Sequence, residues 1–465
     1  MNMLPTSEIP VIGYGDKDRP NADVINTCVH CGLCLPSCPT YRMTGSELAS
    51  PRGRIYLMKG VTEGRISMTD NTFMEQMGLC LNCRACEAVC PSGVMYGGIL
   101  EASRDQLQHL KDGKHEFSSQ PQAQSTPTPR TSFAEKTIRT MVFGKLFKNM
   151  ALFRSFSWAI KAYQKTGVQS LARKIGILKL IGMQDAERML PTISDRFVVP
   201  KGQIYKAQGT RKHTVALLSG CIMSTAFAQV HDATVRVLQK NGCDVILPEG
   251  QGCCGALHTH GGDLDGGRDL ARANIEAFEK MGLDKVDAII VNAAGCGSTL
   301  KEYGHLLHDD PAYSQRAVVL AKKIRDVHEF LASIELNRTD LKPLPIKVTY
   351  QEPCHMAHAQ RITAQPRALL KAIPQLQLVE MFESSMCCGS AGIYNITQPE
   401  MAGELGARKI ENALATHAQV IATGNPGCAL QLAAELNKRG KNVQVKYVVE
   451  LLDQSYGASK PEIQG

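Results

Sequence analysis

Two runs of the sequence, CVHCGLCLPSCP from Cys28 and CLNCRACEAVCP from Cys80, share the spacing C-x2-C-x2-C-x3-C-P. Thiolates are soft donors, and four of them complete the coordination of a cubane [4Fe–4S] cluster. A C-x2-C-x2-C turn wraps three thiols around one face of such a cube. The fourth cysteine lies too near in sequence to close the same cube, and in two-cluster ferredoxins it ligates the other one. The spacing therefore predicts Cys28, Cys31, Cys34 and Cys90 at one cluster, and Cys80, Cys83, Cys86 and Cys38 at a second. A zinc site expects two C-x2-C pairs separated by a longer span, which fits three evenly spaced cysteines poorly. Pro39 and Pro91, after each fourth cysteine, are expected to stop any helix there and turn the chain. Two cubes brought together by crossed ligation form a two-step electron relay.

Nine further cysteines lie downstream, and eight of them fall in a repeat. VALLSGC, ending at Cys221, matches KVTYQEPC, ending at Cys354. GQGCCGA, with Cys253 and Cys254, matches SSMCCGSAG, with Cys387 and Cys388. DAIIVNAAGC, ending at Cys296, matches AQVIATGNPGC, ending at Cys428. The offsets of 133, 134 and 132 residues mark a duplicated domain. Adjacent cysteines at a turn are poor geometry for a disulfide and reasonable geometry for two ligands of one metal centre. Two readings stand: the eight cysteines ligate a further centre, or they fill the core as small buried residues. Cys243 has no counterpart and reads as an ordinary core cysteine. His30, His355 and His358 lie beside ligand cysteines; they read as packing or surface residues, within reach of tuning a cluster by hydrogen bonding.

The elements that must position these groups follow from pattern. Within each repeat, β-branched runs alternate with helical ones, as α/β units with a parallel sheet do. Each cysteine group falls at or near a predicted strand exit, where such folds place ligands. The expectation is a mixed fold: a helical ferredoxin-like N-terminal domain with two [4Fe–4S] sites, then two duplicated α/β domains. The boundaries read as 1–112 for the two-cluster domain, 113–132 for a flexible linker, and 133–205 for a basic helical connector. The repeats follow at 206–335 and 336–465. The linker, KHEFSSQPQAQSTPTPR at its centre, has too few apolar residues to bury a core.

Composition bounds the class. The chain of 465 residues is 43% hydrophobic and 21% charged, normal for a soluble protein of several domains. No apolar run reaches the length of a membrane-spanning helix. The N-terminus has no basic region followed by an apolar one, so a cleaved signal peptide is not expected. Seventeen cysteines in an unexported chain read as ligands in the reducing cytoplasm. The net charge of +8 is localised: between Phe133 and Leu190 stand eleven Lys and Arg against three acidic residues. In the same region Ile138, Val142, Leu146, Met150 and Phe153 recur at helical spacing. Such a segment packs on the body of the protein or docks on an acidic partner or an anionic membrane face. It does not suggest nucleic-acid binding.

CVHCGLCLPSCPTY, SPRGRIYLMKG, NAAGCGSTLKEYG, CCGSAGIYN and GNPGC together resemble the iron–sulfur subunit of glycolate oxidase, over nearly the whole chain outside the linker. More distantly, the chain is similar to iron–sulfur subunits of anaerobic glycerol-3-phosphate dehydrogenase, of lactate utilisation and of heterodisulfide reductase. The repeats resemble the cysteine-rich CCG domain of those enzymes, whose fullest form ends in C-x2-C. Here the first position of that pair is Ala293 in one copy and Asn425 in the other, which departs from a five-thiolate site and leaves four thiols. The resemblance implies an electron-transfer subunit of a flavin-dependent 2-hydroxy acid dehydrogenase, with glycolate oxidised to glyoxylate. It also implies two [4Fe–4S] clusters, FAD in partner subunits, and electrons passed towards a membrane quinone from the cytoplasmic face of the inner membrane. No G-x-G-x-x-G following a strand is present for a flavin or nicotinamide in this chain. The other implied readings are a lactate or glycerol-3-phosphate dehydrogenase subunit, or a heterodisulfide-reductase-like catalytic subunit.

Overall fold

Short helices joined by cysteine loops build the N-terminal region: α1 (Ala22–Asn26), α2 (Pro39–Thr44), α3 (Pro51–Thr62), α4 (Asn71–Leu79), α5 (Ala85–Ala88) and α6 (Tyr96–Lys111). The structure is a computed structural model and describes residues 12–113, 131, 136–137, 139–180, 187 and 190–457. Apart from Gly113 and Thr131, the linker expected at 113–132 lies outside the described residues, as does Ile138. Pro39 does not stop a helix. It opens α2 as its first residue, because the N–H that proline lacks has no partner in a first helical turn. Pro51 opens α3 in the same way, with the Ser50 side chain accepting from the Gly53 N–H as N-cap. Ile55, Met58, Val61, Phe73, Met77, Ile99 and Leu100 bury their side chains together as the core of this region.

The chain divides into two units, residues 1–140 with 257–266, and residues 141–256 with 267–465. The stretch 257–266 belongs to the first unit through named bonds. The Leu264 N–H donates to Asp105 at 2.9 Å, Arg104 donates to the His260 carbonyl at 2.8 Å, and His260 Nδ1 lies 2.6 Å from Glu101.

The second unit contains both repeats. The first has a five-stranded sheet in the order β1-β3-β2-β4-β5, with β1 (Ile204–Tyr205), β2 (His213–Leu217), β3 (Cys243–Ile246), β4 (Ala288–Val291) and β5 (Ile324–Asp326). Only β1 runs antiparallel; the remaining pairs are parallel. The second has four parallel strands in the order β7-β6-β8-β9, with β6 (Lys347–Tyr350), β7 (Gln377–Val379), β8 (Val420–Thr423) and β9 (Gln444–Tyr447). The strand order β3-β2-β4-β5 is thus repeated as β7-β6-β8-β9. One apolar core runs through both copies, from Val215, Leu217 and Val245 to Val348, Val420 and Leu452.

The basic segment is not one helix. A π-type turn, Thr140–Leu146, ends at the buried Phe147, and a new helix, Met150–Lys165, starts from the Asn149 N-cap. Phe147 and Phe153 pack at 5.3 Å between ring centroids, so the apolar spacing here makes a helical corner. Not all its cations face solvent: Lys148 pairs with Asp269 at 2.7 Å, and Lys161 is buried over the Trp158 ring at 4.6 Å. No helix among the described residues is long and apolar enough to cross a membrane.

Candidate iron–sulfur centres

The two N-terminal cysteine loops have the same backbone. In the first, His30 and Gly32 flank Cys31 with φ of 54° and 82°; in the second, Asn82 and Arg84 flank Cys83 with φ of 50° and 60°. This left-handed pair on either side of the middle cysteine curls each loop so that its three thiols face inward. Gly32 suits the position, since a Cβ there would lie 2.7 Å from Arg52 Nη1. Arg84 tolerates the same conformation with its guanidinium 3.0 Å from Glu87.

The thiols line two adjoining hollows. Cys28, Cys31, Cys34 and Cys90 line one, and Cys38, Cys80 and Cys83 line the other; Cys86, Pro51 and Tyr96 belong to the walls of both. Cys31 is exposed and Cys28, Cys34 and Cys90 are half-buried, whereas Cys38, Cys80, Cys83 and Cys86 are buried. Among the described residues no three His, Cys, Asp or Glu side chains are grouped as a single metal ion requires. The thiols surround space instead. Two donors reach the sulfur of Cys80, the Asn82 N–H at 3.5 Å and the Tyr96 hydroxyl at 3.6 Å, and the Val94 N–H lies 3.4 Å from Cys90 Sγ. Such bonds stabilise negative charge on cluster sulfur.

Helix α3 supplies the side chains between the hollows, and its sequence PRGRI explains how. Pro51 touches both hollows, while Arg52 and Ile55 line the first and Arg54 the second. Arg52 binds Glu47 at 2.6 Å and donates to the His30 carbonyl at 3.1 Å, fixing the first loop. Gly53 lets the helix approach Glu47, whose carbonyl oxygen a Cβ would overlap. Arg54 is 1% exposed and donates to the Gln76 carbonyl at 2.7 Å and to Thr40 Oγ1 at 3.1 Å. Burial opposes the Cys80 thiolate, but the charges of Arg54 and Arg104 outweigh it and hold that thiol below its ordinary range. Burial pushes the Cys28 and Cys34 thiols up. It pushes Cys86 well up, reinforced by its neighbours Cys83 and Cys80. Five thiols line the first hollow and four the second, Cys86 being counted in both, so each has the donors a [4Fe–4S] group needs, and the second adds the buried Arg54.

The repeats gather their cysteines at the carboxyl ends of parallel strands. In the first copy Cys221 Sγ lies 3.7 Å from Cys253 Sγ, and Cys254 bonds to both Cys253 and Cys296. In the second, Cys354 and Cys387 are 4.0 Å apart, and Cys388 bonds to both Cys387 and Cys428. Cys243 stands apart, fully buried at the start of β3. Asn425, at the position of the missing thiol, accepts from the Gly295 N–H at 3.2 Å and donates to Cys428 Sγ at 3.6 Å. It therefore ties the second thiol group to the helix that carries Cys296.

The copies differ at one buried position. LARANI in the first copy corresponds to LGARKI in the second, placing Asn274 opposite Lys409. Asn274 donates to the Cys253 carbonyl at 2.8 Å and accepts from the Gly252 N–H at 3.0 Å. Lys409 is fully buried, donates to the Glu383 and Ser384 carbonyls at 2.5 and 3.2 Å, and forms no ion pair among the described residues, although the charges of Cys388, Cys387, Cys428 and Glu383 act on it. Cys388 is held well below its ordinary range by hydrogen bonds from Cys387 and Cys428, with help from the Ser390 N–H and Lys409. The corresponding Cys254 is pushed well up. Of the nearby histidines, His358 bonds to the Ser385 carbonyl at 3.0 Å, and the His30 ring packs edge-on against Tyr56. Sequence reasoning missed Arg54, Tyr96 and Lys409. The only available signal was an arginine or lysine inside an otherwise apolar helical stripe.

Residues 24–94 match the family described as 4Fe-4S dicluster domain, and residues 215–301 and 348–433 each match Cysteine-rich domain. Residues 134–190 match the linker region of the glycolate oxidase iron-sulfur subunit. The chain is 39% identical to a probable glycolate oxidase iron-sulfur subunit of Bacillus subtilis, covering 96% of this chain and 97% of that one. It is 30% identical to the glycolate oxidase iron-sulfur subunit of Escherichia coli, covering 93% and 94%. A lactate utilization protein A of Oceanobacillus iheyensis is 30% identical over 51% of this chain and 96% of its own. With eight cysteines around the two N-terminal hollows and both cysteine-rich repeats in place, the chain belongs to the family of glycolate oxidase iron–sulfur subunits.

Proposed function

We propose that this chain is the electron-transfer subunit of a flavin-dependent 2-hydroxy acid dehydrogenase, with glycolate as the substrate of the complex. It takes electrons from a partner flavin subunit and passes them towards a membrane quinone. The ligand sets are Cys28, Cys31, Cys34 and Cys90 for one cluster and Cys38, Cys80, Cys83 and Cys86 for the other. When bound, each cluster supplies a one-electron carrier. The observation that carries this reading is the pair of thiol-lined hollows sharing Cys86, Pro51 and Tyr96. Cys28 to Cys34 hold the first centre at the surface, where Val29 and Leu33 present apolar side chains to a partner. The second set, walled by Arg54 and Tyr96, excludes water from the next station. The test is iron content and EPR of anaerobic protein. About eight irons are expected from the two cubanes, with Cys34→Ser removing one cluster signal and Cys38→Ser the other. Loss of the same signal in both variants overturns the crossed sets.

We propose further that the second repeat, through Cys354, Cys387, Cys388 and Cys428, holds an additional metal–thiolate centre. The buried Lys409 supports this, because its ammonium is in no ion pair among the described residues and the thiols of Cys388, Cys387 and Cys428 are the first charges that favour it. Asn274 gives the first repeat no such charge. Cys388→Ala is expected to lower the metal content and Cys254→Ala to leave it unchanged. Equal effects of the two substitutions would remove the distinction between the copies. Attachment to the cytoplasmic membrane face is assigned to the helices around 168–180, whose apolar and basic residues face outward.

A further inference from the structure

Three arginines line the N-terminal hollows, and they differ in what balances them. Arg52 is bound by Glu47 and Arg84 by Glu87. Arg54 is the most buried of the three, and no carboxylate pairs with it among the described residues; its hydrogen bonds go to a carbonyl and a hydroxyl. A guanidinium cannot shed its charge in a protein, and an unbalanced one in the interior is costly. The groups whose negative charge acts on it are Cys80 and Cys38 of the second hollow, with Tyr96. Cys38 Sγ lies 3.3 Å from Thr40 Oγ1, which Arg54 also holds, and the Tyr96 hydroxyl meets Cys80 from the same wall. Among the described residues, the arginine that lines the first hollow is Arg52, and Glu47 already balances it.

We infer that Arg54 is the counter-charge of the cluster held by Cys38, Cys80, Cys83 and Cys86, and raises the reduction potential of that cluster alone. This rests on the ligand sets proposed above. One-electron reduction adds one negative charge to the cluster and its four thiolates. A fixed cation beside them stabilises the reduced form more than the oxidised form, and the interaction is strong because water is excluded. Tyr96, donating to Cys80, acts in the same direction. Arg54 is thus a positioning and tuning residue: it makes the buried station the better electron acceptor and leaves the exposed one as it is.

The test is an EPR-monitored redox titration of the whole chain, with dithionite as reductant and four variants. By the step it abolishes, Cys83→Ser identifies which of the parent's two one-electron steps belongs to the second hollow. In R54Q that step is expected to lose at least tenfold in the reduced-to-oxidised ratio at a fixed potential, about 59 mV, while the other step stays. R54K, which keeps the charge, is expected to restore most of the shift. Two separable steps with neither moved by R54Q overturn the role of Arg54. So does an equal shift of both. Should R54Q fail to hold the cluster, R54K decides: retention near the parental potential supports the charge, and loss in both variants assigns Arg54 to packing and overturns the inference. If Cys83→Ser and Cys34→Ser abolish the same step, it is the ligand sets that fall.

Discussion

His231 is fully buried in the first repeat, with Nε2 2.8 Å from the Ser219 carbonyl and Nδ1 3.1 Å from the Asn292 amide. The neutral ring donates at Nε2 and accepts at Nδ1, so both contacts are satisfied without charge. Burial pushes its pKa down from 6.5 to about 4. The unfolded chain takes up this proton near pH 6.5 and the folded one does not until about pH 4. The contribution is therefore complete above pH 6.5 and is lost as pH falls through that window, by about 2 kcal/mol at pH 5. H231Q can donate and accept but cannot titrate. Its thermal midpoint is expected to fall less between pH 7 and pH 5 than that of the parent; parallel curves would place the acid sensitivity elsewhere. At this scale the cysteines were readable because ligation demands a thiol at fixed spacing. Arg54, Lys409 and His231 were not, because their meaning lies in what surrounds them, and a charged residue in a helical stripe usually faces solvent.

Helix α3 shows what spacing alone conveys about an element. SPRGRIYLMKG reads as a capped helix start, and Ser50 and Pro51 perform those roles. The purpose of Gly53 emerges only from the approach of the Glu47 carbonyl. Gly53→Ala is expected to force α3 away from that turn, costing about 2–3 kcal/mol as overpacking does, and to reduce iron retention by both clusters. Gly45→Ala is the control: its φ is 66° but a Cβ there meets open space, so the loss is about 1 kcal/mol. Iron content and thermal midpoints of the two variants should separate. Equal losses would mean that the closeness of α3 to the Glu47 carbonyl adds no cost of its own. The repeat strands were readable by their β-branched runs, and the cysteines do stand at their carboxyl ends. The break at Phe147 was not readable, since Val142, Leu146, Met150 and Phe153 keep helical spacing on either side of the corner.

For the whole molecule the question is what covers the basic segment. The helices Val168–Ile175 and Ile177–Leu180 bury none of their side chains. Val168, Leu171, Ile175 and Leu180 are each at least half exposed, and Lys174 and Lys179 stand among them without an acidic partner among the described residues. Lys145 is exposed in the preceding turn. Lys148 and Lys161, held by Asp269 and by Trp158 with Asp195, are committed within the protein and contribute little outward charge. An apolar face fringed by lysines suits the surface of an anionic bilayer, where each basic residue contributes about 1 kcal/mol. Replacing Lys145, Lys174 and Lys179 by Glu is expected to weaken co-sedimentation with phosphatidylglycerol vesicles at least 100-fold, the equivalent of about 3 kcal/mol. Parent binding should fall with salt, because screening acts over roughly 8 Å at physiological ionic strength. Pairing Leu171→Gln with Ile175→Gln should weaken binding while leaving its salt dependence, separating the apolar contribution from the charge. Binding that ignores all five substitutions, or that is equal on phosphatidylcholine vesicles, would assign this face to a partner subunit instead.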